Sequence, residues 1–215
     1  MLASPDLAAV AALLGDPTRA RMLGLLMDGQ AQTATELALE GGVAPSTASS
    51  HLARLTGAGL LEIVRQGRHR YFRIAGPEVA GAIEALMGIA PRRAETASRS
   101  RAEGDALRHA RVCYDHLAGA VAVRLLAALR HERLLAGGDR GMDLTPAGEA
   151  WCADLGLDVG ALRGMRRPLC RPCLDWSERR THLAGALGAA LLGRLVALRL
   201  VRRRAGSRAV DLSPR

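Results

Sequence analysis

The residue types with the most chemistry to offer sit in the second half of the chain. Cys113-Tyr-Asp-His116 sets a thiol and an imidazole three residues apart, a spacing that on a helix puts both on one face, able to clasp one ion. Cys170-Arg-Pro-Cys173 is a CxxC, which lets two thiolates bind one soft metal or close a disulfide. His182 occupies, in an internal repeat, the place His116 holds in the first copy. Cys113, His116, Cys170, Cys173 and His182 are therefore a candidate set for zinc or a thiophilic metal or metalloid. Arg108, Arg111, Arg171, Arg179 and Arg180 would favour thiolates if they fold nearby. Cys152, beside Trp151, reads as a packed core thiol. Other readings use the same residues: thiol redox or electrophile sensing, or an organic ligand walled by Tyr114 and Trp176. The plainest has Pro172 shaping a turn and both histidines in the core. A thiol-disulfide oxidoreductase built on Cys170 and Cys173 is disfavoured, because such a CxxC expects a βαβ setting and helices surround this one.

A second group of residues offers a different chemistry. Thr33 and Glu36 fit a capping box at the start of a short helix over 33–40, and Gly41-Gly42 ends it. Pro45 suits the first turn of the next helix, where its missing N–H costs nothing. Along that helix Ala48, Leu52 and Leu55 form an apolar stripe, and Ser46, Thr47, Ser50, His51 and Arg54 occupy the other face. Such a face can reach base edges and phosphates in a major groove. Gly57 and Gly59 stop the helix, and two strands, over 60–65 and 69–74, turn about Gln66-Gly67-Arg68. Arg65, Arg68, His69, Arg70 and Arg73 cluster on or beside this hairpin. Helix, turn, helix and basic hairpin make a winged helix-turn-helix whose partner is double-stranded DNA.

These segments also resemble a known family. Asp16-Pro-Thr-Arg-Ala-Arg-Met-Leu-Gly-Leu-Leu26, Ala34-Thr-Glu-Leu-Ala38, the run from Ser46 to Leu61, and Gly67-Arg-His-Arg-Tyr-Phe-Arg-Ile74 are similar, in order and spacing, to the ArsR/SmtB transcriptional repressors. The resemblance covers about residues 5 to 90. It implies a dimeric DNA-binding repressor released by a chemical signal, with the first and last helices of the module at the dimer seam. There are two departures. Ala44 stands where the family often has a Ser cap, and the family's two best-known metal sites are missing, since 33–40 has no cysteine and 78–87 no histidine.

The elements that must hold these groups follow from pattern and composition. A length of 215 residues allows one large or two modest domains with a real core. Apolar residues make up 49% but aromatics 2%, so the core must be built from Leu, Val and Ala, as helical proteins tolerate. The net charge is +9 and every basic residue is Arg, but residues 1–91 hold 7 Arg against 8 acids. DNA binding by that part must therefore depend on local placement of charge, not on its total. No secretory signal is evident, and Arg194 and Arg199 interrupt the apolar run 183–200, so a cytoplasmic protein without a membrane span is expected.

Along the chain, Asp6 to Leu14 reads as an apolar helix, and Asp16 with Pro17 caps another that buries Met22, Leu23, Leu26 and Met27. A helix over 78–87 has Val79, Ile83, Leu86 and Met87 on one face. Residues 91–104, rich in Arg, Ala, Ser and Glu, read as a linker or a solvated helix start. Beyond it, His116-Leu-Ala-Gly recurs as His182-Leu-Ala-Gly at the head of a long apolar helix, and Asp143-Leu-Thr-Pro146 recurs as Asp211-Leu-Ser-Pro214. Two helix-plus-wing repeats, about 105–155 and 174–215, packed about an approximate twofold axis, account for both. Arg202, Arg203, Arg204 and Arg208 lie on the second of these wings, where a solvated strand edge is the simpler reading. The expected architecture is mainly α with small β-hairpin wings (α+β). It comprises an N-terminal winged helix-turn-helix over 1–90, the linker, and a helical C-terminal sensing and dimerisation domain over 105–215 containing the internal repeat.

Overall fold

The structure is a computed structural model that describes residues 6–67, 69–90, 101–138 and 141–213. It divides into two compact units, Met1–Ala80 and Gly81–Arg215. Most of the expected linker, 91–100, lies outside the described residues, as do Arg68 and Pro214.

In the first unit the local signals act as expected. Asp6 caps α1 (Leu7–Leu14) and Asp16 caps α2 (Pro17–Leu26), each by accepting a backbone N–H with its carboxylate. After β1 (Gln32–Thr33), the full capping box of Thr33 and Glu36 opens α3 (Ala34–Gly41). Gly42, at φ 63°, turns the chain into α4 (Pro45–Gly57), which starts on Pro45 with no side-chain cap from Ala44. Ala48, Leu52 and Leu55 are buried, together with Met22, Leu23, Leu26 and Leu37. The strands β2 (Leu61–Gln66) and β3 (His69–Ile74) form the antiparallel wing, and β1 adds to the free edge of β3. This unit is a winged helix-turn-helix. In α1, by contrast, an eight-residue run of Leu, Ala and Val buries none of its residues.

The helix α5 (Pro77–Ile89) starts in the first unit and continues into the second. Its buried residues include Ala80, Ile83 and Glu84, while Leu86 is 45% exposed. The apolar stripe expected there is therefore rotated, because a carboxylate takes an inward position.

The second unit opens with α6 (Arg101–His109), so the end of the 91–104 stretch is the helix start expected there as the alternative to a linker. Two similar runs follow. The first is the hairpin β4 (Arg111–Cys113) and β5 (His116–Ala118), then α7 (Ala120–His131), then the hairpin β6 (Leu135–Gly138) and β7 (Gly141–Leu144). The helices α8 (Pro146–Asp154) and α9 (Val159–Arg163) connect it to the second. That run is β8 (Arg171–Leu174), β9 (Thr181–Ala184), α10 (Gly185–Ala197), β10 (Val201–Arg203) and β11 (Val210–Leu212). Packing is shared between them: α10 lies on β5 and β9, α7 on β9 and β5, with β5 beside β9. Each helix thus packs on its own hairpin and on the other run's, and neither run closes a core alone. Each also begins with a hairpin that the sequence did not disclose, since His116 and His182 belong to strands and not to the helices that follow.

The glycine that ends the shared His-Leu-Ala-Gly has a backbone cause. Gly119 and Gly185 both sit at φ 89°. A Cβ there would come within 2.8 Å of the Arg108 carbonyl oxygen or 2.6 Å of that of Leu169. Gly119→Ala or Gly185→Ala is expected to destabilise this unit by about 2–3 kcal/mol, read as a lower urea midpoint with the wing unaffected. No described helix is long and apolar enough to cross a membrane.

Candidate nucleic-acid interface and candidate metal centre

On α4, Ser46, Thr47, Ser50 and Arg54 are exposed and make no side-chain hydrogen bond among the described residues. Ser49 bonds back to the Pro45 carbonyl, so its hydroxyl is partly spent. His51 is only half-exposed. Its Nδ1 accepts a hydrogen bond from Arg19 Nη1 at 3.1 Å, and Asp16 Oδ1 lies 4.0 Å away. The other nitrogens of the Arg19 guanidinium donate to the carbonyls of Ala12 and Leu13 at the end of α1, at 2.9 and 2.6 Å. Because a guanidinium only donates, it fixes the neutral His51 ring with its hydrogen on Nε2. Arg19 had no functional role in the sequence reading, and its place three residues after the Asp16 cap was the available signal.

The wing presents Arg65, His69 and Arg70, all exposed; Arg68 falls outside the described residues. Arg65 and Arg70 are direct cross-strand partners. Like charges so placed repel, and a phosphate between them would relieve the repulsion. Arg73 differs, being paired with Glu62. On the C-terminal wing, Arg202 and Arg204 are both tied to Asp211, at 2.8 and 2.7 Å, as a solvated strand edge would be.

In the second unit, Cys113, His116, Cys173 and His182 bring one donor atom each to within 4.8 Å of one another, and all four are buried. They come from equivalent positions. Cys113 faces His116 across the β4–β5 pair, and Cys173 faces His182 across β8–β9. The shared helix face read from the Cys113–His116 spacing is thus a tight hairpin, with Tyr114 at φ 59° in its turn. The two Nε2 atoms lie 3.2 Å apart. Cys170 is not part of this group. It precedes β8 and packs with Leu126, Leu162, Leu187 and Cys152, and burial pushes its thiol up to about 12. Residues three apart on an extended chain face opposite sides, which separates the two cysteines of the CxxC.

Carboxylates stand behind both imidazoles. Asp115 Oδ1 accepts from His116 Nδ1 at 3.1 Å and is paired with Arg167. Asp175 Oδ2 lies 3.5 Å from His182 Nδ1. Asp175 also accepts from Arg111 Nη2 at 3.0 Å, from the Gly119 N–H at 2.6 Å, and from the N–H and hydroxyl of Ser177. Burial opposes its charge, yet Arg111 and these donors hold its pKa down at about 2. Arg111 is itself fully buried, 4.4 Å over the Trp176 ring and 3.7 Å from Glu84. Of the arginines expected near the thiols, Arg111 reaches this network. A hydrogen bond from Cys113 and, against burial, others from the two histidines draw the Cys173 thiol strongly downward; the same contact, burial and Glu84 push Cys113 up. Asp175, Asp115 and Glu84 were missed as site residues, although Asp115 adjoins His116 in sequence.

A polar exposed helix and a basic hairpin on this frame define a DNA-binding regulator of the winged helix-turn-helix class. Residues 14–64 match the family model described as a helix-turn-helix domain. The chain is 40% identical over 210 residues to YdfF of Bacillus subtilis, described as an uncharacterized HTH-type transcriptional regulator; the match covers 98% of this chain and 93% of that protein. It is 35% identical over 83 residues to the HTH-type transcriptional regulator CmtR of Mycobacterium tuberculosis, covering 39% of this chain and 70% of the relative. Among solved structures, the NMR structure of the cadmium metal-sensor CMTR from Mycobacterium tuberculosis matches at 32% identity over 43% of this chain and all of that one, with a TM-score of 0.34. The chain belongs to the HTH-type transcriptional regulators, with the winged module that its resemblance to the ArsR/SmtB repressors implied. It is a regulator of transcription.

Proposed function

We propose that the protein is a cytoplasmic repressor that binds an operator as a homodimer and is released when its C-terminal unit binds a metal. Ser46, Thr47, Ser50, His51 and Arg54 read the major groove; Arg65, Arg68, His69 and Arg70 hold the flanking phosphates. Cys113, His116, Cys173 and His182 are the sensing residues, and Cys170 has no part in ligation. The observation that carries this reading is the buried two-Cys, two-His group, placed in the second unit and away from the helix-turn-helix and its wing in sequence. In α1 no residue is fully buried and Leu7 is 78% exposed, which supports a dimer seam at that helix.

The test is selection of binding sites from a DNA library at fixed salt, followed by affinity measurements with chelator, zinc and arsenite. A signal-linked regulator should lose operator affinity roughly 5- to 150-fold on loading. Equal affinity in the loaded and chelated protein would reject metal control. A second reading uses the closeness of Cys113 and Cys173, whose thiols an oxidant would join; release by oxidant but not by metal would favour it.

A further inference from the structure

The cluster has a donor set, a geometry and a charge that select among metals, and the following rests on its being a metal centre. We infer that it takes one divalent ion of the zinc class, four-coordinate through Cys113 Sγ, His116 Nε2, Cys173 Sγ and His182 Nε2, as a closed staple between the two repeats.

Three observations lead there. First, a tetrahedral ion about 2.0–2.1 Å from each of two imidazole nitrogens holds them about 3.3 Å apart. The two Nε2 atoms are already 3.2 Å apart. His116 Nδ1 donates to Asp115, which as a carboxylate can only accept, and the nearest acid to His182 Nδ1 is Asp175. An ion at this point would replace the protons that the two Nε2 atoms share with each other and with Cys173, while His116 keeps its Nδ1 hydrogen toward Asp115; His182 Nδ1 has no hydrogen-bond partner among the described residues. Second, the thiols number two. Two thiolates neutralise one divalent charge in a buried site, whereas a trivalent metalloid wants a third thiolate, and Cys170 and Cys152 lie elsewhere in the core. Third, the four side chains are at most 6% exposed, so no position is left open for an exchanging water or substrate. One Cys–His pair comes from each repeat, so a shared ion would tie together the two hairpins on which α7 and α10 both pack.

The experiment is a cobalt(II) titration of chelated full-length protein in reductant, followed by absorption. Expected are one equivalent bound, intense tetrahedral d–d bands with a thiolate-to-cobalt charge-transfer band, complete displacement by zinc, and no displacement by equimolar arsenite. Cys173→Ser should halve the charge-transfer intensity, Cys170→Ser should leave the spectrum unchanged, and Asp115→Asn should weaken zinc roughly 10- to 100-fold. Weak octahedral bands in the wild-type protein, or displacement of cobalt by arsenite, would overturn the assignment without reference to any variant. A tetrahedral spectrum in a protein whose operator affinity ignores zinc would uphold the staple and remove the sensing role proposed above.

Discussion

Asp175→Ala is expected to destabilise the C-terminal unit by about 3–5 kcal/mol, a fall in its melting temperature on the order of 10 °C for a unit of this size. The wild-type carboxylate accepts from Arg111, the Gly119 N–H, both donors of Ser177 and the Glu178 N–H. Removing it leaves the Arg111 guanidinium, which has no solvent exposure, with Glu84 at 3.7 Å as its remaining acid. An uncompensated buried cation is the costly consequence, and the lost backbone bond at Gly119 loosens the start of α7. Because Glu84 persists, the lower end of the range is expected. Hydrogen exchange is the decisive measurement: protection should fall in β4, β5 and α7 and stay unchanged in α3 and α4. A loss below about 1 kcal/mol would mean that Arg111 is neutralised by some other route. The companion Asp175→Asn keeps the shape and an acceptor for Gly119, so the difference between the two variants isolates the charge.

This network also marks where sequence reasoning stops. In the first unit the signals are local: Asp16 with Pro17, Thr33 with Glu36, Pro45, and the Ala48–Leu52–Leu55 stripe each specify structure within about two helical turns. Nothing distant is needed to read them, and the second helix of the helix-turn-helix and the wing follow at once. The second unit is different. Glu84 looks like a surface residue until Arg111, many positions later, is seen to be buried beside it. The strands β4 and β5 have three residues each, too few for alternation to show. Without them Cys113 and His116 look like neighbours on a helix. Without β8, Cys170 and Cys173 look like a pair, whereas the backbone there turns them apart. The repeat itself was legible, because His116-Leu-Ala-Gly119 recurs as His182-Leu-Ala-Gly185, with both glycines at φ 89°.

For the DNA-facing unit, Arg54→Ala is expected to weaken operator binding roughly 10- to 100-fold with no change in melting temperature. Arg54 is exposed, near the end of α4, on the face opposite the buried stripe, so its removal opens no cavity. If it reads a guanine edge, the loss should be largest at one operator position and discrimination there should relax. Arg65→Ala should behave otherwise. It ends the like-charge opposition to Arg70, so folding stability should hold or rise slightly, while affinity falls evenly over all sequences. The slope of log affinity against log salt should shrink by about one unit for this variant and stay nearly constant for a base-reading one. Measuring both slopes therefore separates reading from clamping. Should Arg54→Ala bind every sequence with wild-type affinity and preference, α4 would not be the element that enters the groove, and the surface that touches DNA would have to be sought elsewhere on the chain.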